Sequence, residues 1–153
     1  MDKEKLLKQL LGQIEKQLAT MQQAARASHD AATGSEAKAE GKYDTRGLEA
    51  SYLASAQIEQ CEKLSKAIDT LNAFTFPTLE PDPSAKAGNI VEVESNGNLQ
   101  YYFLLPCGGG MTLIHEDGDI TTLTPEAPLY QAILGNKAGS LIGDGHSLIL
   151  EVI

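Results

Sequence analysis

The chain has 153 residues, 42% of them hydrophobic, and a formal net charge of −9 at pH 7. This length accommodates one ordinary domain or two small ones, and no apolar run approaches the length of a membrane-spanning helix. Residues 76–153 contain ten acidic and only two basic side chains. This charge disfavours direct binding of nucleic acid by this half, and a basic protein surface is the partner that it favours.

Two long amphipathic helices are predicted in the first half of the chain. Apolar or small side chains recur there at alternating intervals of four and three residues, which is typical of two helices packed along each other. These stripe residues are Leu7, Leu11, Ile14, Leu18, Met21 and Ala25 in the first helix and Ala50, Ala54, Gln57, Cys61, Leu64, Ile68 and Leu71 in the second. The pattern predicts an antiparallel helical hairpin.

The ends of these helices can also be predicted. Asp2 is suited to cap the first helix, which is expected to end near His29 and Asp30, and the second helix is expected to end near Asn72. The segment between them, roughly residues 33–42, has no stripe and forms the tip of the hairpin. Thirty helical residues reach about 45 Å, so the tip would be carried far along the hairpin.

Three acidic side chains near the tip, Glu36, Glu40 and Asp44, follow an i, i+4 spacing that would place them on one helical face. They form either a solvated face, neutralised by the basic residues between them, or a functional cluster. Alone they should bind Mg²⁺ poorly, so no metal is expected to be held by this chain by itself. Tyr43 is expected to pack near the tip with Tyr52, the alternative being that it projects to contact a partner.

A connector and a β domain follow the hairpin. The prolines of residues 77–83 exclude a helix, and from Gly88 the apolar period changes to two. Asn96-Gly97 is a strong signal for a β-hairpin turn. Strands are predicted at residues 90–93, 99–105, 111–115, 120–123 and 147–153. A short helix that starts near Pro128 and stops at Gly135 completes a small, curved antiparallel sheet folded over one helix.

The predicted fold class is therefore α+β, with an antiparallel coiled-coil hairpin followed by a small antiparallel β domain. The hairpin is assigned to residues 1–76 with its tip at about 31–43, the linker to 77–87 and the β domain to 88–153.

The glycine run, the histidines and the cysteines do not indicate a functional site. The run Gly108-Gly109-Gly110 lacks the lysine and Ser/Thr of a phosphate-binding loop and is predicted as a wide hairpin loop. The three histidines stand on different elements without metal-ligand spacing. Cys61 and Cys107 predict neither a disulfide framework nor a CxxC pair.

Two segments resemble the Gre-type transcript cleavage factors of bacterial RNA polymerase (GreA and GreB). Residues 124–139 read TPEAPLYQAILGNKAG, similar to that family's Ser-Pro-Leu turn, its helix ending in Leu-Gly-Lys and its following glycine. Residues 40–44 read EGKYD and precede Leu48-Glu49-Ala50, where family members carry an acidic Asn-Ala-Glu-Tyr stretch.

The resemblance implies an FKBP-like β domain that docks on the rim of the polymerase secondary channel. It also implies that the hairpin enters the channel and that its tip carboxylates help to retain a second Mg²⁺ for cleavage of backtracked RNA. Aligning the family tyrosine with Tyr43 places Glu36 at the outer acidic position and Ala39 at the inner one. Glu40 and Asp44 then stand as displaced substitutes for the inner acid.

The leading hypothesis is a monomeric, cytoplasmic RNA polymerase-binding factor that is not itself an enzyme, with any Mg²⁺ shared with the polymerase. Whether it stimulates or inhibits cleavage stays open. Its best docking candidates are Glu126, Ala127, Pro128 and Leu129, which also form an ordinary helix start. No sequence-specific nucleic-acid contact and no membrane contact are expected. The alternative is a coiled-coil adaptor or dimerising scaffold whose β domain binds another protein.

Overall fold

The computed structural model describes residues 1–34, 45–78, 80–143 and 145–153. Helix α1 spans Lys3–Thr33, α2 spans Arg46–Asn72 and α3 spans Pro128–Ile133; the strands are β1 (Ile90–Ser95), β2 (Asn98–Leu104), β3 (Thr112–Leu113), β4 (Ile120–Leu123), β5 (Leu141–Ile142) and β6 (Ser147–Val152). Within these ranges no helix combines the length and the apolar character needed to cross a membrane. The predicted fold class, a helical hairpin followed by a small β domain with one short helix, is confirmed.

The chain forms two compact units. The β unit contains residues 1–11 and 70–153, and the hairpin unit contains residues 12–69. The β unit thus includes the first turns of α1 and the last residues of α2. The domain boundaries derived from the sequence stay predictions.

Asp2 caps α1, as the sequence predicts. The backbone N–H of Lys5 donates to Oδ1 of Asp2 at 3.0 Å, and the N–H of Leu6 donates to the Asp2 carbonyl oxygen at 3.1 Å. The backbone N–H groups in the first turn of a helix have no carbonyl partner one turn earlier, and the side chain of Asp2 supplies an acceptor for one of them. Helix α1 continues to Thr33, beyond the end predicted near Asp30, whereas α2 ends at Asn72 as predicted.

The sheet has six strands in the order β3-β4-β2-β1-β6-β5. Strand β4 pairs in parallel with β2, so the sheet is mixed, whereas the sequence predicted an antiparallel one. The reason lies in the connection after β2. The chain first forms the outer strand β3 and then returns as β4 into the space between β3 and β2, so the glycine run at 108–110 is a crossover loop rather than a hairpin loop.

One face of the sheet packs against α3. Its core cluster consists of Ala85, Val91, Val93, Leu104, Leu123, Tyr130, Ile133, Ile142, Ile149 and Val152. Helix α3 begins at Pro128, whose fixed φ suits a first helical position. Gly135, with φ +80°, follows its end, as the sequence predicts.

The connector before β1 is held against the β unit. Ala85 is 1% exposed, and its N–H donates to the Asn136 carbonyl at 2.7 Å. Two ion pairs flank this contact: Lys86 with Glu80 at 3.4 Å, and Lys137 with Asp82. Both basic side chains of residues 76–153 are therefore engaged with acids of the connector.

Part of the opposite face of the sheet is covered by aromatic side chains. Phe76 stacks on Phe103 of β2 with ring centroids 6.1 Å apart, and Phe74 meets Phe76 edge-to-face at 5.6 Å. Ile90 and Ile120, which the strand register places on the same face as Phe103, are completely buried. The residues that follow α2 thus close one half of this face.

Replacing Asn89 by alanine should lower the free energy of unfolding by about 2 kcal/mol. Its amide is 1% exposed, accepts the Lys86 N–H at 3.1 Å and donates to the Ile153 main-chain oxygen at 3.1 Å. Removal of the amide leaves these buried groups without partners. Urea denaturation followed by circular dichroism measures the loss, and Asn98→Ala, at an exposed position, is the control that should change little. Equal free energies of unfolding for the two variants would show that the buried hydrogen bonds of Asn89 do not stabilise the fold.

Candidate functional site

Within residues 12–69 every predicted stripe residue is shielded from solvent, whereas at the start of α1 the buried Leu6 and Leu10 lie outside the predicted stripe. In the hairpin unit, Ile14, Ala25 and Ala54 are buried. The other stripe residues between 12 and 69 are half-buried: Leu18, Met21, Ala50, Gln57, Cys61, Leu64 and Ile68. A cavity of about 340 Å³ is lined by Ala25, Arg26, His29 and Asp30 of α1 and by Ile58 of α2. Both helices therefore lie side by side within one chain.

The buried and half-buried apolar side chains of the two stripes become smaller toward the tip of the hairpin unit. Ile14 and Leu64 stand in the proximal part of the stripes, whereas Ala25 and Ala54 stand in the distal part. Oε1 of Gln57 is buried and has no hydrogen-bond partner within the described residues. The distal hairpin therefore buries less apolar surface per turn than the proximal part and contains an uncompensated polar atom.

Several large apolar side chains of α2 face solvent. Leu48, Leu53 and Ile58 are each about half exposed, and Tyr52 is 67% exposed. The predicted packing of Tyr43 with Tyr52 involves a residue outside the described ranges and stays a prediction.

Replacing Gln57 by methionine should raise the free energy of unfolding by about 1 kcal/mol. The substitution keeps the length of the side chain and removes the buried oxygen that lacks a donor. Thermal and urea denaturation measure the gain. Gln60→Met, at an exposed position of the same helix, is the matched control and should change stability by less than about 0.5 kcal/mol. A destabilised Gln57→Met protein would show that Gln57 has a partner in solution.

The acidic cluster predicted at the tip, Glu36, Glu40 and Asp44, and the adjacent Tyr43 lie outside the described residues. In the sequence they fall between the end of α1 at Thr33 and the start of α2 at Arg46. The described ranges contain no group of three His, Cys, Asp or Glu side chains that could hold a metal ion.

The turn that precedes α3, residues 124–128, is here named the cap turn. The N–H of Ala127 donates to the Thr124 carbonyl at 2.9 Å, and the Gln131 side-chain amide donates to the Pro125 carbonyl at 2.7 Å. The four docking candidates divide into two pairs. Ala127 and Leu129 pack against the core cluster, whereas Glu126 and Pro128 are exposed. The second pair therefore exposes more of its surface than the first pair, which is half-buried.

Glu126 gives the cap turn a stable negative charge. Hydrogen bonds from its own backbone N–H and from the Thr124 hydroxyl lower the pKa of its carboxyl group. The negative charge in turn contributes to a raised pKa of the Cys107 thiol and of the Tyr130 hydroxyl, although burial is the larger cause in both. The turn therefore presents a carboxylate, and not a carboxylic acid, at neutral pH.

The glycine loop, residues 107–110, supports the cap turn. A Cβ atom on Gly109 would lie 2.7 Å from Oγ1 of Thr124, so only glycine permits this close approach. The buried Thr122 hydroxyl donates to the Gly108 carbonyl at 2.7 Å and accepts the Met111 N–H at 3.0 Å. Sequence reasoning missed Thr122 and Thr124 as supports of this site because no local motif links them to the loop.

No protein-family model and no curated protein matches this chain. Among solved structures it is similar to crystal structures of GreA factor homolog 1 (Gfh1) from two Thermus species. For the Thermus thermophilus protein the identity is 14%, the alignment covers 94% of each chain and the TM-score is 0.36. For the Thermus aquaticus protein the identity is 16%, the alignment covers 95% of this chain and 92% of that chain, and the TM-score is 0.37.

Proposed function

We propose that this protein is a Gre-like factor that binds bacterial RNA polymerase and modulates its active site through the tip of the helical hairpin. The observation that carries the proposal is the side-by-side packing of α1 and α2 within one chain. In the sequence, the acidic segment follows α1 and precedes α2. Residues 12–33 of α1 alone extend about 33 Å. A slender stem of this kind is suited to enter a channel that excludes a globular domain.

The tip carboxylates of Glu36, Glu40 and Asp44 would act at the partner's active site. Hard anionic oxygens are the ligands that Mg²⁺ prefers, and three of them on one short segment add negative charge where the polymerase already holds a metal. A second Mg²⁺ held jointly by these carboxylates and the polymerase would supply electrostatic stabilisation of the attacking oxygen during RNA cleavage. The protein is then a cofactor protein and not an enzyme by itself. It would act in the cytoplasm, where its polymerase partner works.

The cap turn is the proposed docking surface of the β unit. Glu126 carries a stable negative charge there, and the neighbouring Pro128 offers a rigid apolar surface. The surrounding half of the chain has a large excess of acidic side chains, which would steer it toward a basic partner. A basic and apolar polymerase surface at the channel rim meets both requirements.

The proposal is tested by adding the full chain to core RNA polymerase and to stalled elongation complexes with labelled RNA. The protein should bind the core enzyme at micromolar concentration or below and change the amount of shortened RNA. An increase identifies a cleavage-stimulating factor, and a decrease in the presence of a stimulating factor identifies a competitor. No binding at micromolar concentration would end the proposal.

Replacing Glu126 by lysine should weaken binding to core polymerase by about tenfold, since it reverses the charge at the exposed cap turn. Fluorescence anisotropy of the labelled protein, titrated with core enzyme, measures the change. Glu116→Lys makes the same change of net charge at another exposed position of the β unit and serves as the matched control. Equal weakening by both variants would show that net charge, and not the cap turn, governs binding.

The second candidate is a dimerising scaffold, which the exposed apolar residues Leu48, Leu53 and Ile58 of α2 favour. Analytical ultracentrifugation separates the two functions. The proposed polymerase factor should sediment as a monomer, because Ile14, Ala25 and Ala54 are already buried within one chain. A stable dimer that dissociates in a Leu53→Ser, Ile58→Ser variant would support the scaffold.

A further inference from the structure

The face of the sheet opposite α3 is open over the half that the aromatic residues do not cover. Leu141 of β5 pairs with Leu148 of β6, Leu148 pairs with Glu94 of β1, and Glu94 pairs with Leu99 of β2. These four side chains form a continuous row across four strands, about 14 Å long. Leu141 is 65% exposed and Leu99 is 56% exposed. Leu148 and Glu94 between them are half-buried, and the Glu94 carboxylate accepts the Gly97 N–H at 2.7 Å. This row of three leucines and one glutamate is named here the leucine row.

A second row of side chains runs beside the leucine row on the same face. It contains Glu151, Glu92 and Tyr101, which are paired across β6, β1 and β2. The Tyr101 hydroxyl donates to Oε1 of Glu92 at 3.1 Å. Burial and the nearby carboxylates of Glu92, Asp117 and Glu151 raise the pKa of this hydroxyl. The open face thus combines exposed leucines with a concentration of negative charge.

The strands of the sheet contain no basic side chain, and the lysines of residues 1–11 in the same unit belong to α1. Residues 76–153 contain only two basic side chains. The two that exist, Lys86 and Lys137, are paired with Glu80 and Asp82 in the connector. An anionic lipid surface or nucleic acid would be repelled by the carboxylates. Charge complementarity therefore selects a cationic partner, and the leucines require that it also carry apolar side chains.

We propose that the leucine row and the adjoining acidic row bind a basic amphipathic helix of another protein. A helix fits better than an added strand, because the edge strands β3 and β5 are only two residues long and offer few free backbone groups. Apolar side chains at positions i, i+4 and i+7 of such a helix would cover Leu99 and Leu141, while lysine or arginine at its margins would meet Glu92 and Glu151. This surface is separate from the cap turn and does not depend on the polymerase role.

The test uses a labelled amphipathic peptide of about 14 residues built from leucine and lysine, compared with one built from leucine and glutamate. Anisotropy titrations of the full chain should show binding of the lysine peptide only, and amide NMR shifts should map to β1, β2 and β6. The Leu99→Ser, Leu141→Ser variant keeps the net charge and should bind about tenfold more weakly. Ile114→Ser, at a position 75% exposed outside the row, is the matched control and should bind normally.

Three outcomes would overturn the proposal. Unchanged affinity of the Leu99→Ser, Leu141→Ser variant would show that charge alone attracts the peptide. Equal binding of the glutamate peptide would show that apolar contact alone does so. Self-association of the unmodified chain that the same variant abolishes would show that a second copy covers the row. Should that variant fold poorly, Glu92→Gln, Glu151→Gln provides the second test and should also weaken binding of the lysine peptide.

Discussion

Replacing Gly88 by alanine is expected to lower the free energy of unfolding by roughly 2 to 5 kcal/mol. Gly88 has φ +91°, a left-handed conformation that costs other residues about 1 to 2 kcal/mol. Its added Cβ would also lie 2.5 Å from Cδ of Pro77 and 3.2 Å from the ring of Phe74. The Phe74 ring cannot move easily, because it contacts Phe76, which stacks on Phe103, and Cδ of Pro77 belongs to a rigid ring.

The matched control for Gly88 is Gly97→Ala. Gly97 has φ +78°, and its added Cβ would meet no atom within 4 Å. This variant should therefore lose only the backbone contribution of about 1 to 2 kcal/mol. Urea denaturation of both variants, followed by circular dichroism, separates steric contact from backbone strain. Equal losses would contradict the close approach of Pro77 to Gly88.

Replacing Glu36, Glu40 and Asp44 together by alanine is expected to abolish the effect of the protein on RNA cleavage in stalled complexes. The carboxylates are the groups proposed to act at the polymerase active site, so their loss removes the chemistry and leaves the rest of the chain intact. Binding to core polymerase should change by less than about threefold, because the cap turn is untouched. Gel analysis of labelled RNA and anisotropy titration measure the two properties separately.

The control for the tip variant is a second triple variant, Glu15→Ala, Glu62→Ala and Asp69→Ala. These three acids are exposed on α1 and α2 of the hairpin unit, and their removal changes the net charge by the same amount. This variant should retain the full effect on RNA. Loss of the effect in both triple variants would show that the overall charge of the hairpin, and not its tip, is responsible.

Features of the fold that depend on neighbouring residues could be predicted from the sequence. Asn96 and Gly97, with φ values of 51° and 78°, form the tight turn that their residue types predict, and β1 and β2 pair across it. Within residues 12–69 the stripe residues of α1 and α2 are buried or half-buried, because helical periodicity decides which positions face a neighbouring helix. In residues 1–11, which belong to the β unit, the buried Leu6 and Leu10 are not part of the predicted stripe.

Features that depend on distant residues could not be predicted. The parallel pairing of β4 with β2 arises from the path of the chain after β2, which no local pattern encodes. Strand β5 has two residues, too few to show an alternating pattern, and it exists because Leu141 and Ile142 pair with β6. The direction of β4 and the existence of β5 thus depend on strand pairing across the sheet and not on the periodicity of the sequence.

In the candidate site, too, the features set by neighbouring residues could be predicted, and those set by distant residues could not. Proline at the start of α3 and glycine after its end identified the cap turn correctly as a helix start. That Leu129 and Ala127 face the core, whereas Glu126 and Pro128 face solvent, follows from the position of α3 on the sheet. The hydrogen bonds of Thr122 to Met111 and Gly108 join residues 11 and 14 positions apart, so no local pattern in the sequence predicts them.

The most direct test of the polymerase role is a cryo-electron microscopy structure of this protein bound to a stalled elongation complex. The account predicts that α1 and α2 of a single chain lie together in the secondary channel, with residues 36–44 beside the catalytic Mg²⁺ and the cap turn on the channel rim. A complex in which the hairpin lies outside the channel, or in which α1 and α2 pair with those of a second copy, would contradict it.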